Sequence, residues 1–582
     1  MKKFFSARYR ILILLFLLFS SIFLFRKTAP LLGNKRFETF TNSIFTSQLS
    51  SNTLNLHYTL ANPKAFGIKD YAIHLGSMNQ NSHSATFSKL KSNQKQLKKF
   101  HYQKLSKENQ LIYDMLSLEF STQLSGENFF WLQEPLSPHL GISSQLPVLL
   151  AEYTFRNGTD IKDYFSLLSC LPDYYKELAK FESEKSERGL FMSDASLERL
   201  LNQCETILSS DYLSSSFEEK INKLQTSGSI TKTQADSYLS LHQKLLHTCV
   251  IPSYQSLSQN LSKLKGTGKN ECGLAGFTDG TSYYHYLIQS QVGDYRSIKE
   301  IEKRLFTQLA LEYRQMQTLL AKNPTLTQSL SSFSFSAPPE EMLSYLSKKI
   351  KTQFPALKAA HYEVKYVPSQ MEEFSSPAFY LTPPVDTLSP NIIYINQHSL
   401  GNTVELFTTL AHEGFPGHLY QTLYYGNLKP APIRNLLECS GYIEGWATYV
   451  ESMAYDYAAS YFNLQPELLQ LLWQNRSISL CLYSLFDIKI HEYGWTLSQV
   501  TQSLQGFGIS SDETCREIYQ YIVENPANYL KYYLGYLNFI DLKASAKKAA
   551  GSHFDLKEFH QFVLETGPAP FPILEKQVLR HY

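Results

Sequence analysis

Residues 411–421 read Ala-His-Glu-Gly-Phe-Pro-Gly-His-Leu-Tyr-Gln, and no single helix can hold them. Val404, Phe407, Leu410 and Ala411 recur at helical spacing just before this stretch. Then come Gly414, Pro416 and Gly417. Proline removes a helical hydrogen bond and glycine opens unusual dihedral angles. The helix is therefore expected to break after Glu413 and resume near His418. On an unbroken helix, six residues turn through roughly 240° beyond a full turn, which would keep the rings of His412 and His418 apart. A break lets them converge, with Glu413 beside them. The alternative is a helical corner that carries two incidental histidines.

Two imidazoles, with a carboxylate directly after the first, form the donor set of His-Glu-x-x-His zinc sites, here widened by two residues. Such a site takes a third protein ligand and leaves one position open. Glu444 lies 26 residues after His418, in an apolar helical run, where a lone carboxylate is costly unless paired or metal-bound. We read it as the third ligand. Glu444, Thr448 and Glu451 share one helix face. Glu451 is either a carboxylate that orients a metal-binding histidine or a solvated residue.

His412-Glu413-x-x-Pro416-Gly417-His418, then Glu444-Gly445-Trp446-Ala447-x-Tyr449-x-Glu451, resembles the bacterial domain of unknown function 885 family. That family is grouped with the zincin-like (gluzincin) metallopeptidases. The Glu444-Gly445-Trp446-Ala447 piece is also similar to the ligand helix of aminopeptidase N-type enzymes. The resemblance extends from about Thr53 to the C-terminus. It implies a mainly α fold, a large helical zincin-like metallopeptidase with a small β-sheet before the metal-binding helix. It implies Zn²⁺ on His412, His418 and Glu444, Glu413 as general base, and peptide substrates, oligopeptides above all. A zinc hydrolase of a non-peptide amide or ester, and a non-catalytic surface binding protein, are the competing readings.

Further candidates come from spacing. Residues 361–367, 377–381 and 391–396 alternate as short strands. An exposed edge strand there could hold extended substrate, and Tyr394 and Asn396 are assigned to substrate binding. Asp487 and His491 are four apart and share a helix face. They are read either as a carboxylate–histidine pair facing the cleft, with His491 helping at the oxyanion, or as a structural pair. Tyr529, Tyr532, Tyr533 and Tyr536 follow Pro526 at helical spacing. Pro526…Tyr532-x-x-Gly535 resembles the family's corresponding motif, and Tyr529-x-x-Tyr532 resembles the tyrosine pair of angiotensin-converting enzyme. Tyr532 is the expected oxyanion donor, and Tyr529 the expected substrate-positioning group.

The whole chain sets outer limits. Its 582 residues carry 54 Lys+Arg against 52 Asp+Glu, a net charge of +2 that argues against a nucleic-acid partner. Residues 11–25 are almost wholly apolar and flanked by Lys2, Lys3, Arg8, Arg10, Arg26 and Lys27. Residues 1–27 are therefore expected to form a signal anchor, a transmembrane segment holding an extracytoplasmic catalytic body at the cell membrane. Cleavage of that segment would make the protein secreted. Residues 28–52 are read as a polar stalk, 53–265 as an N-terminal helical region and 266–582 as the catalytic region. The seven cysteines are odd in number and form no Cys-x-x-Cys pair.

Overall fold

The computed structural model describes residues 32–582, apart from 327–336, 359, 368–371, 373–375, 400 and 438. It is mainly helical, with one three-stranded sheet among the described residues.

The first described helix, α1, spans 32–49. It replaces the expected stalk. Phe37, Ile44, Phe45 and Leu49 fall on one face and are buried. Phe37 meets Phe100 edge to face, with ring centroids 5.2 Å apart. Most of the polar residues that suggested a stalk occupy the other face, while Thr41 is buried with the apolar ones. The membrane anchor expected at residues 1–27 is withdrawn as well. No helix among the described residues is long and apolar enough to cross a membrane, and residues 1–27 themselves lie outside the described part.

Two large apolar cores organise the rest. One is built between Leu54 and Leu261 around the long helix α2, Gly158–Glu187. The other joins α1 and residues 97–132 to the C-terminal half. Helix α3, Ile298–Lys322, starts at Ser297, whose side chain and that of Glu300 form a reciprocal cap.

The sheet holds β1 (Glu363–Tyr366), β2 (Ala378–Leu381) and β3 (Ile392–Ile395) in the order β1-β3-β2. β3 is central, parallel to β1 and antiparallel to β2. Its alternation separates two faces. Ile393 and Ile395 join the main core, while Tyr394 turns to a small cluster with Val367 and Ile392. β2 is an edge strand on the side of helix α4, Thr403–Glu413.

After α4 come α5 (His418–Asn427), α6 (Ser440–Phe462), α7 (Pro466–His491), α8 (Asp512–Glu524) and α9 (Asn528–Ala550). Helices α6 and α9 pack closely because three glycines meet. A Cβ on Gly445 would lie 2.4 Å from the carbonyl carbon of Gly535, and one on Gly535 would lie 2.3 Å from the carbonyl oxygen of Gly441. This contact sets α9 against the helix that bears Glu444.

Candidate metal centre

Asn402 starts α4, its side chain accepting from the N–H groups of Val404 and Glu405. The helix ends after Glu413, because Gly414 leaves helical geometry (φ −107°, ψ −95°). The chain turns back, and the Gly417 N–H donates to the Ala411 carbonyl at 3.0 Å. A Cβ on Gly417 would sit 1.7 Å from the His412 carbonyl oxygen, so only glycine allows so tight a return. Helix α5 then starts at His418. The rings of His412 and His418 end 4.9 Å apart at 81°.

Glu444 enters from the first turns of α6. Its Oε2 lies 3.6 Å from His412 Nε2 and 3.4 Å from His418 Nε2. This oxygen is buried and takes no hydrogen bond. Ligands about 2.0–2.1 Å from a tetrahedral Zn²⁺ lie roughly 3.3–3.4 Å from one another. The three donors thus stand at the spacing such an ion requires. A cation among them would also answer the orphaned carboxylate oxygen.

Donor atoms of His412, Glu413 and His418 likewise lie within 4.8 Å of one another. Glu413 differs from Glu444 in one respect: its Oε2 accepts the backbone N–H of Tyr380 at 2.9 Å. That bond commits one oxygen of Glu413, whereas Oε2 of Glu444 is uncommitted. Glu444 is therefore the better third ligand, and Glu413 is a steered carboxylate beside the donors. Burial holds the Glu413 carboxyl above its usual range, against the pull of His418 and His412.

Glu451, two turns after Glu444, is buried and accepts from His412 Nδ1 at 3.0 Å. Arg476 on α7 donates to its other oxygen at 3.2 Å. Burial raises the cost of ionising Glu451, but the charge of Arg476 and the contact with His412 outweigh it and hold the carboxyl low. Burial likewise opposes a charge on His412. Contacts with Glu444 and Glu451, and the nearby charge of Glu413, overcome it and push the imidazole up to about 10. Three carboxylates around two imidazoles make a site that favours a cation.

Tyr532 on α9 lies over His412, with ring centroids 6.2 Å apart at 24°. The negative charge of Glu444, then burial, holds its hydroxyl well above the ordinary phenol value. It stays protonated and able to donate. Tyr529, one turn earlier, makes tilted ring contacts with Tyr483 and Tyr521 at centroid distances of 4.9 and 5.6 Å.

Other candidates lie elsewhere. Tyr394 donates to Glu152 Oε2 at 2.5 Å, on the sheet face opposite Ile393. Asn396 is fully buried and holds its own loop through the Glu372 carbonyl and the Ser399 hydroxyl. His491 uses both ring nitrogens on backbone: Nδ1 accepts from Leu274 N at 3.1 Å, and Nε2 donates to the Ile522 carbonyl at 2.9 Å. Burial lowers its imidazole to about 4, so it is a neutral structural group. Asp487 does not pair with it. Asp487 Oδ1 instead accepts from the Tyr284 hydroxyl and from Ala527 N.

Some contributors left little trace in the sequence. Tyr380 acts through its backbone N–H, which no side-chain pattern announces. Trp446 is fully buried and donates its indole N–H to the Pro416 carbonyl at 3.0 Å, which ties α6 to the turn between the histidines. The spacing of Gly441 and Gly445, four apart and then opposed by Gly535, is the signal for the close α6–α9 packing.

The family described as "Bacterial protein of unknown function (DUF885)" matches residues 63–578. Two solved structures are similar. The "putative lipoprotein from Colwellia psychrerythraea" is 20% identical, with a TM-score of 0.81, covering 94% of this chain and 99% of that one. A "putative lipoprotein of unknown function from Shewanella oneidensis" is 16% identical, with a TM-score of 0.63, covering 93% and 99%. These identities carry the fold alone. No curated protein matches the chain.

Proposed function

The chain belongs to the bacterial protein family of unknown function DUF885, and from that premise we propose that it is a zinc-dependent metallopeptidase acting on oligopeptides. The observation that carries this reading is the buried Oε2 of Glu444, unbonded and 3.4–3.6 Å from two imidazole nitrogens, with Glu413 alongside. His412, His418 and Glu444 would hold Zn²⁺. Bound there, the ion supplies Lewis acidity to a scissile carbonyl and acidifies a water.

The chain's own residues do the rest. Glu413 takes the proton from the attacking water and returns it to the leaving amine. The Tyr380 N–H fixes the carboxylate's direction and leaves Oε1 for that proton. Tyr532 donates its hydroxyl to the carbonyl oxygen as negative charge develops there. Edge strand β2, already turned toward Glu413 through Tyr380, offers its outer backbone groups to an extended peptide. The two similar lipoproteins support a membrane-associated or extracellular setting.

The test joins metal analysis of the purified protein to digestion of a peptide library read by mass spectrometry. About one Zn²⁺ per chain and cleaved peptides are expected, with Glu413→Gln retaining metal and losing turnover. Absence of bound metal, or full turnover in Glu413→Gln, would sink the proposal. Bound metal with cleavage confined to small esters or amides would replace the peptide with a non-peptide substrate.

A further inference from the structure

Lys531 stands beside Tyr532 on α9 and is a cation without a carboxylate partner. Its ammonium has Asn528 Oδ1 at 3.4 Å, and no carboxylate lies within ion-pairing distance of 4.0 Å among the described residues. It borders a cavity of about 280 Å³ whose polar wall includes Ser196, Asn270, Asn525 and Asn528. Its apolar lining includes Leu132, Leu190 and Phe277.

Two glutamates also reach this cavity, and each already has a cation. Glu134 pairs with Lys185 at 2.5 Å. Glu524 has Arg199 Nε at 3.6 Å and accepts from Gln520 at 2.8 Å. Lys185 also stands 3.2 Å from the buried Glu182, and Lys531 is the lining cation with no carboxylate within 4.0 Å among the described residues. Burial pulls its ammonium below the usual range, against the more distant charges of Glu444 and Asp487. An anion placed here would gain a charge-assisted hydrogen bond from Lys531, beside Asn525 and Asn528, whose amides already donate to Tyr521.

We propose that this cavity receives the C-terminal carboxylate of the substrate, with Lys531 as its counter-ion and the apolar wall against the terminal side chain. The proposal rests on the peptidase reading of the neighbouring centre, and it makes the enzyme one that trims short pieces from free C-termini. The size suits this, since cavities near 300 Å³ are at the small end of ligand sites.

Binding tests the subsite without turnover. The probe is an N-acetylated pentapeptide ending in leucine, as free acid, as C-terminal amide, and as an amide with glutamate in the fourth position. Each is titrated into the full-length Glu413→Gln protein by calorimetry. The free acid should bind about tenfold or more tighter than the plain amide, the scale of a hydrogen bond to a charged group. Adding Lys531→Met should bring the two within about twofold, and Lys531→Arg should restore the difference.

Equal binding of acid and plain amide, or undiminished discrimination with Lys531→Met, would overturn the proposal. So would a glutamate-containing amide that matches the free acid, because the anion would then be a side chain. Acid preference without cleavage by the protein bearing Glu413 would leave the subsite standing and remove the peptidase reading. Cleavage without acid preference would do the reverse.

Discussion

Glu451 Oε2 lies 3.0 Å from His412 Nδ1, although the two residues are 39 apart in sequence and on different helices. The carboxylate accepts a hydrogen bond from Nδ1–H, so that Nε2, which faces Glu444 and His418, is the nitrogen placed to bind a metal. Arg476 steadies the same carboxylate from its far side. Replacing Glu451 by Gln removes the charge while nearly keeping the shape. Metal affinity, read by chelator competition, should fall about 10–100-fold. Unchanged affinity would mean that the ring is oriented by its surroundings and not by Glu451.

The α6–α9 contact predicts an effect away from the donors. At Gly445 an added methyl meets backbone of Gly535, which cannot swing aside. Gly445→Ala should cost about 1–3 kcal/mol in chemical denaturation, the usual range for overpacking. It should also reduce turnover, because α9 carries Tyr532. Gly506, at a helix end with open space around it, is the control. Gly506→Ala should be neutral or stabilise by up to about 1 kcal/mol. Equal responses at the two positions would show that close helix approach is not what Gly445 provides.

What could be read from sequence was what local spacing encodes. The Gly–Pro–Gly break is local, and so are the alternating strands and the two-turn separation of Glu444 and Glu451. What could not be read depends on partners far along the chain. The four-residue spacing of Asp487 and His491 gave them a shared helix side, but Leu274, 217 residues away, claims a nitrogen of His491. Tyr284, 203 residues away, claims Asp487. Tyr394 has the right alternation and the wrong face, because which side of a strand meets the helix of His412 and Glu413 is set by packing. The helix over 32–49 was hidden because its buried residues are thinly spread among polar ones.

Tyr532 is expected to act on rate and little else. Its ring packs over His412, and phenylalanine keeps that packing. Tyr532→Phe should bind metal normally, hold KM near the parent value and lose about 10²–10³ in kcat, the range for one oxyanion donor. An unchanged kcat would assign the donor elsewhere. A large rise in KM alone would make Tyr532 a substrate-binding group.

Asp487 supplies a prediction in pH. It is fully buried, Oδ1 takes both of its hydrogen bonds, and Oδ2 has no partner. Burial pushes its carboxyl from 3.8 up to about 7, more than its donors can offset. The folded state therefore holds this proton more tightly than the unfolded chain does. The resulting stability is fully present below the unfolded value and declines as pH rises from about 4 to about 7. Between pH 5 and 8 the loss is about 3 kcal/mol, from two pH units at roughly 1.4 kcal/mol each. Asp487→Asn keeps an acceptor for Tyr284 and Ala527 but cannot titrate. Urea denaturation of both proteins at pH 5 and 8 isolates the group, because titrations shared by the two cancel in the difference. The variant should gain stability relative to the parent as pH rises, by about that amount. A pH-independent difference would mean that Asp487 is ionised throughout this range, with its charge neutralised by a group such as Lys531.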